Sequence, residues 1–155
     1  MTDAQISLRV LSDPGELELL QPLYEQSDGP SYGFLQGFLD QPYCRAWCLE
    51  KEKQLVAAIW YQCVTERVEM VDLRVLASER RQGLGRQLLW SSLTALGNVD
   101  AVQLEVRSSN VAARALYGSL GFSETGSRPK YYATPDDRED AILMTLTLNH
   151  GGSVT

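Results

Sequence analysis

The chain has 155 residues, 44% of them apolar and 22% charged, the profile of one globular domain long enough to bury a core. No apolar run reaches the roughly 18 to 20 residues that a membrane-spanning helix requires. A net charge of −6 argues against a general nucleic-acid surface, which needs a basic stripe, and suits a cationic partner.

Ile6, Leu8 and Val10 alternate with polar residues, as in a first strand. Ser12-Asp13-Pro14 supplies a cap and a first-turn proline for a helix carrying Leu17, Leu20 and Tyr24. Ser27-Asp28-Gly29-Pro30-Ser31 reads as a loop, and 33–39, with Phe34, Leu35 and Phe38, as a short second helix. Strands 44–49, 55–64 and 68–76 follow at short intervals. Lys51-Glu52-Lys53 and Thr65-Glu66-Arg67 link them, so they form an antiparallel meander.

A glycine turn then opens a helix with Leu84, Leu88, Leu89, Leu93 and Leu96 at helical spacing, which Gly97-Asn98 ends with a left-handed cap. The strand at 101–107 sends Val102, Leu104 and Val106 to one side and Gln103, Glu105 and Arg107 to the other. Ser108-Ser109-Asn110 caps a helix whose stripe is Ala113, Leu116, Tyr117 and Leu120; Gly121 and Phe122 fit a Schellman ending. A long polar loop over 128–140 precedes a last strand, 141–148, with Ile142, Met144, Leu146 and Leu148 on one face.

The order is β-α-α-β-β-β-α-β-α-β-β, an α/β fold with a mixed sheet and helices on both faces. Residues 1–148 are expected to form a single domain and the tail from Asn149 to be disordered. The start Met1-Thr2-Asp3-Ala4-Gln5 has no basic segment before an apolar one, so a cytoplasmic location is expected.

Cys44, Cys48 and Cys63 cannot all pair and lack the spacing of a zinc site; Cys48 and Cys63 read as small hydrophobes in strands. The one histidine, His150, lies in the polar tail. No metal is expected, and acid–base chemistry falls to carboxylates, tyrosine, lysine or cysteine.

The most informative stretch is Arg80-Arg81-Gln82-Gly83-Leu84-Gly85-Arg86. It joins a strand to a helix N-terminus. Its glycines let backbone approach a ligand, while first-turn N–H groups and the helix dipole favour an anion. The arginines add cationic side chains that can reach phosphate oxygens. The turn lacks the Gly-Lys-Ser/Thr ending of a P-loop and the full G-x-G-x-x-G of a dinucleotide fold.

Arg80-Arg81-Gln82-Gly83-Leu84-Gly85 fits the R/Q-x-x-G-x-G/A motif, and with the element order it resembles the GCN5-related N-acetyltransferase (GNAT) superfamily. Three further blocks narrow the likeness: Leu104-Glu105-Val106-Arg107-Ser108-Ser109-Asn110, Ala115-Leu116-Tyr117-Gly118-Ser119-Leu120-Gly121-Phe122, and Tyr131-Tyr132 with Arg138-Glu139-Asp140-Ala141. They resemble the family of bacterial ribosomal-protein-alanine N-acetyltransferases from about residue 71 to 148. The resemblance implies an acyl-CoA N-acyltransferase fold, acetyl-CoA as cosubstrate, and a protein N-terminus, the alanine of a small-subunit ribosomal protein, as acceptor. No nucleic-acid or membrane partner is implied.

By family position Glu105 is the general base, Tyr117 the proton donor to the leaving thiolate, and Asn110 a partner of the pantetheine arm. Leu73, Arg74 and Val75 lie on the strand whose backbone holds the pantetheine and the thioester carbonyl, and Arg80 through Arg86 cradle the pyrophosphate. From patterning alone Glu105 is equally an exposed strand glutamate, Tyr117 a core aromatic and Asn110 a helix cap. Arg74 stands where many relatives carry a small residue. The resemblance places acceptor choice in the first two helices with their loop and in 128–140. There Pro30-Ser31 stands without the tryptophan common in that branch. Asp136, Asp137, Glu139 and Asp140 can attract a basic peptide or simply be solvated. Two alternatives remain: acetylation of a lysine, polyamine or metabolite amine, and a non-catalytic CoA-binding regulatory module, against which the joint presence of Glu105 and Tyr117 speaks.

Overall fold

The computed structural model describes residues 5–24, 29–65 and 67–148. Expectations for Ser27, Asp28, Glu66, His150 and the tail from Asn149 lie outside those residues. The chain forms two compact units: residues up to 64 together with 70–97, and residues 65–69 together with those from 98 onward.

In the first unit, β2 (Cys44–Lys51) and β3 (Gln54–Val64) pair antiparallel as in the expected meander, β4 (Arg67–Val75) lies beside β3, and β1 (Ile6–Val10) adds antiparallel to the free edge of β2. Glu52 and Lys53 turn the β2–β3 hairpin with φ of 53° and 65°. Positive φ at both central residues is what a two-residue hairpin of matching twist demands, and neither residue is glycine. α1 (Pro14–Leu19) is capped by Asp13 and α2 (Tyr32–Leu39) by Ser31, whose hydroxyl accepts from the Phe34 N–H at 3.1 Å. A 3₁₀ turn, Gln21–Tyr24, extends the first helical segment.

Strand alternation decides which helix meets which residue. Ala46, Cys48, Ala58 and Trp60 join Leu17, Leu20, Leu23, Tyr24, Leu35 and Phe38 in one cluster. The opposite parity carries Trp47 and Tyr61, in edge-to-face contact at 5.8 Å, beneath α3 (Leu84–Leu96). There the Tyr61 hydroxyl meets Ser92 Oγ at 2.7 Å, and Arg45 donates to the Leu96 carbonyl at 3.1 Å. β3 is therefore covered on both faces. Leu88 and Leu89 are fully buried, each worth roughly 1.5–3 kcal/mol of transfer free energy. Cys48 is fully buried, which pushes its thiol up to about 11, so it stays neutral and behaves as the small hydrophobe expected. Gly97 ends α3 with φ 82° but ψ −132°, a positive-φ stop outside the left-handed helical region expected for it.

In the second unit, the first residues of β4 pair in parallel with β5 (Ala101–Arg107), Val68 lying opposite Val102. β5 runs antiparallel to β7 (Arg138–Thr147), and β6 (Ser123–Ala133) antiparallel to β7. α4 (Val111–Ser119) ends in the expected Schellman motif. The Phe122 N–H reaches the Tyr117 carbonyl at 3.1 Å, and the two rings pack 5.8 Å apart.

The polar loop expected over 128–140 is instead the tip of the β6–β7 hairpin. Its strands continue to Ala133 and resume at Arg138, and Thr134 and Asp137 close the turn. β6 is an edge strand exposed along almost its whole length. With no buried face it has no apolar alternation, and backbone pairing with a few polar side-chain contacts holds it. Pro129 is tolerated on such an edge, where the register shifts between Arg128 and Tyr132.

Candidate active site

The glycine turn stands in the first unit as its sequence implies. Gly83 is the N-cap of α3 at φ 76°, a left-handed conformation that costs other residues roughly 1–2 kcal/mol. It brings no capping side chain to the first-turn N–H groups, and open space surrounds its missing Cβ for 4 Å. Leu84 is buried while Arg80, Arg81, Gln82 and Arg86 are exposed, and Gly85 is half-buried. An apolar anchor thus holds a backbone concavity edged by cationic side chains, which fits a diphosphate. Gln82 accepts from Lys51 Nζ at 3.1 Å, and Arg80 Nε donates to the Val75 carbonyl at 3.3 Å, tying the turn to the end of β4.

Leu73, Arg74 and Val75 are half-buried on β4. The Arg74 side chain, whose direction the sequence leaves open, points toward the segment between the 3₁₀ turn and α2. Its Nε donates to Asp72 at 3.0 Å, Nη1 to the Leu23 carbonyl at 3.0 Å and Nη2 to the Pro30 carbonyl at 3.2 Å. The guanidinium lies 4.7 Å from the Tyr24 ring centre. Burial lifts the Asp72 carboxyl to about 6, outweighing the pull of Arg74. Burial also raises the Tyr24 hydroxyl, which accepts from Trp60 Nε1 at 2.9 Å. No local sequence pattern announces Asp72: its partner Arg74 is two residues away, but the burial that shifts it comes from the fold.

In the second unit Glu105 projects from β5 opposite to the buried Val102, Leu104 and Val106, with its side chain 16% exposed. Arg128 Nε lies 2.9 Å from its carboxylate, and Arg128 is itself mostly exposed. Glu69 stands opposite Gln103, hence on the same sheet face as Glu105. Burial first, and then the Glu105 charge, raises the Glu69 carboxyl. Burial and the same charge also raise the Tyr132 hydroxyl, while Arg107 and Arg128 oppose the shift. This face therefore sets two carboxylates, Glu69 and Glu105, beside two guanidiniums, Arg107 and Arg128, and an aromatic pair, Tyr131 and Tyr132, 5.1 Å apart. It is chemistry suited to taking a proton from an ammonium group. Sequence reasoning found Glu105 and missed Glu69 and Arg128; the strand parity that places Glu105 also places Glu69.

Asn110 and Tyr117 share α4. Asn110 is the N-cap, its Oδ1 accepting from the Ala113 N–H at 3.1 Å. Tyr117 is the one buried residue of its helix, whereas Ala113, Leu116 and Leu120 are half-buried. The acidic stretch is partly used internally. Glu139 accepts from the Ser109 N–H at 2.9 Å and from Ser108 Oγ at 3.3 Å, and Asp140 accepts from the Lys130 N–H at 2.9 Å. The Ser109 bonds, with smaller help from Ser108 and Arg107, hold the Glu139 carboxyl below its ordinary range.

A family model described as the acetyltransferase (GNAT) family matches residues 14–122. The [ribosomal protein bS18]-alanine N-acetyltransferase of Escherichia coli K12 is 42% identical over 103 residues, covering 65% of this chain and 70% of that protein. An N-alpha-acetyltransferase of Sulfurisphaera tokodaii is 35% identical over 124 residues, covering 78% and 65%. The crystal structure of the Escherichia coli ribosomal-protein-S18-alanine N-acetyltransferase superposes with a TM-score of 0.88 at 30% identity, over 97% of this chain and 99% of that one. The glycine turn, the strand–helix order and these matches agree: the chain belongs to the acetyltransferase (GNAT) family.

Proposed function

We propose that the protein transfers acetyl from acetyl-CoA to the N-terminal alanine of a small-subunit ribosomal protein, in the cytoplasm, with residues 1–148 acting as one catalytic domain. The observation that carries this reading is the 42% identity to an enzyme named for that reaction on bS18, over 70% of its length. Two features of the molecule support it. The turn at Gly83 fits a diphosphate, and Glu105 is a mostly buried carboxylate beside a second one, Glu69.

Acetyl-CoA supplies the acetyl group as a thioester. Arg80, Arg81, Gln82, Gly83, Leu84, Gly85 and Arg86 hold its diphosphate, with backbone N–H groups doing most of the work. Asn110 bonds the pantetheine arm in addition to capping α4. The backbone of Leu73, Arg74 and Val75 positions the thioester carbonyl and meets the negative charge that develops on its oxygen. Glu105 accepts the proton of the acceptor ammonium. The need is modest for an α-amine, roughly 10% neutral at pH 7, and far greater for lysine, on the order of 0.1% or less. The freed amine attacks the carbonyl carbon, the C–S bond breaks as Tyr117 gives its hydroxyl proton to the leaving sulfur, and the proton shed by the new amide nitrogen restores the tyrosine through solvent.

The test is incubation with acetyl-CoA and a peptide bearing the bS18 N-terminal alanine, read by mass spectrometry, beside lysine peptides and spermidine. Acetylation at the α-amine alone is expected. Transfer only to the ε-amine or to spermidine would move the protein to another acceptor class, and CoA binding without transfer would make it a regulatory module.

A further inference from the structure

Leu23, Tyr24 and Pro30 converge on the guanidinium of Arg74, far from them in sequence, beside its strand neighbour Asp72. Arg74 bridges the carbonyls of Leu23 and Pro30, which stand at the two ends of the connection into α2, while Asp72 holds its Nε and Tyr24 lies under its plane. Gly29 completes the arrangement. At φ 90° it adopts a conformation that other residues avoid, and a Cβ there would sit 2.6 Å from Arg74 Nη2 and 3.1 Å from Asp72 Oδ1. Gly29 and Pro30 thus lie directly against the ion pair. An arginine is required for this, because a planar fork can donate to two carbonyls and a carboxylate at once while stacking on a ring. A lysine offers a single point of charge.

We propose that Arg74, oriented by Asp72 and given room by Gly29, is a positioning residue that clamps Leu23, at the end of the 3₁₀ turn, and Pro30, at the entry of α2, to β4 and thereby sets affinity for the acceptor. The inference rests on the reading that the first two helices and their loop contact the acceptor. Apart from the Asp72 pair on its own strand, the Arg74 side chain donates to the Leu23 and Pro30 carbonyls, so its donor-side contribution is limited to backbone. Losing the clamp therefore weakens the acceptor without weakening acetyl-CoA.

The test compares the full-length protein with its Arg74→Lys and Gly29→Ala variants. The first removes the fork, and the second displaces it while leaving Arg74 intact. Hydrogen–deuterium exchange of peptides covering 17–24 and 29–39 reports the clamp without reference to any acceptor. Steady-state kinetics report its consequence. Both variants are expected to exchange faster in those peptides. Their KM for the acceptor should rise about tenfold, as expected for loss of a charge-assisted hydrogen bond, with KM for acetyl-CoA held within about twofold. Unchanged exchange in both variants, or donor and acceptor KM rising together, overturns the proposal. If the wild-type protein leaves the alanine peptide untouched, the acceptor reading fails by itself. The same comparison is then run on whichever of the lysine peptide or spermidine it does acetylate, and exchange still decides the clamp.

Discussion

Replacing Asp72 by asparagine is expected to remove a pH-dependent cost of folding. Burial lifts this carboxyl from 3.8 to about 6, although Arg74 Nε donates to it at 3.0 Å. A difference of one pH unit between folded and unfolded values is worth about 1.36 kcal/mol, so ionising Asp72 costs the folded chain about 3 kcal/mol. The sign follows from proton binding. Between 3.8 and about 6 the folded protein keeps a proton that the unfolded chain has released. The stability carried by the neutral carboxyl is therefore complete below about pH 4 and lost as the pH rises through about 6. Asparagine has no proton to lose, and its carbonyl can still accept from Arg74. Urea unfolding of both proteins from about pH 4 to about pH 7.5 isolates the effect, since every other carboxylate is common to the pair. Relative to wild type, the variant should gain up to about 3 kcal/mol across that range. A difference that stays flat to within about 0.5 kcal/mol would show that Arg74 fully offsets the burial, and would falsify the linkage.

Glu105→Gln should lower acetyl transfer by roughly 100-fold, most at low pH where less of the amine is already neutral; an unchanged pH–rate profile would show that Glu105 is not the base. Tyr117→Phe should slow turnover while leaving CoA affinity nearly unaltered; if CoA binding by calorimetry falls in step with the rate, the tyrosine acts only through packing. Gly83→Ala meets no neighbour within 4 Å, so its folding cost is limited to roughly 1–2 kcal/mol of left-handed strain. The KM for acetyl-CoA should rise out of proportion to that loss, and an unaltered KM would remove the turn from the donor site.

Much of this architecture was legible because helices and covered strands advertise themselves through periodicity. Leu84, Leu88, Leu89, Leu93 and Leu96 are all buried, and Val102, Leu104 and Val106 face inward as their alternation requires. The resemblance added roles to Glu105, Asn110 and Tyr117 that patterning alone left open. What stayed hidden has a common cause. β6 is exposed on both faces, so its pairing leaves no trace in the pattern of apolar residues. The direction of Arg74 depends on Leu23, Pro30 and Tyr24, none of them its neighbours in sequence. Glu139 looked like one more solvated acid, yet it satisfies a backbone N–H of a segment 30 residues away.

That last bond makes a lever of the second unit. Glu139 sits at the start of β7, close to the hairpin tip, and grips Ser108 and Ser109 just ahead of α4. Arg107, on the same carboxylate, also reaches the Ala133 carbonyl across the hairpin and stacks 4.6 Å over Tyr132. A load applied at the tip, by a bound peptide or by a crosslink, is transmitted through this joint to the helix that carries Asn110 at its entry and Tyr117 near its end. The hairpin is a handle on the helix.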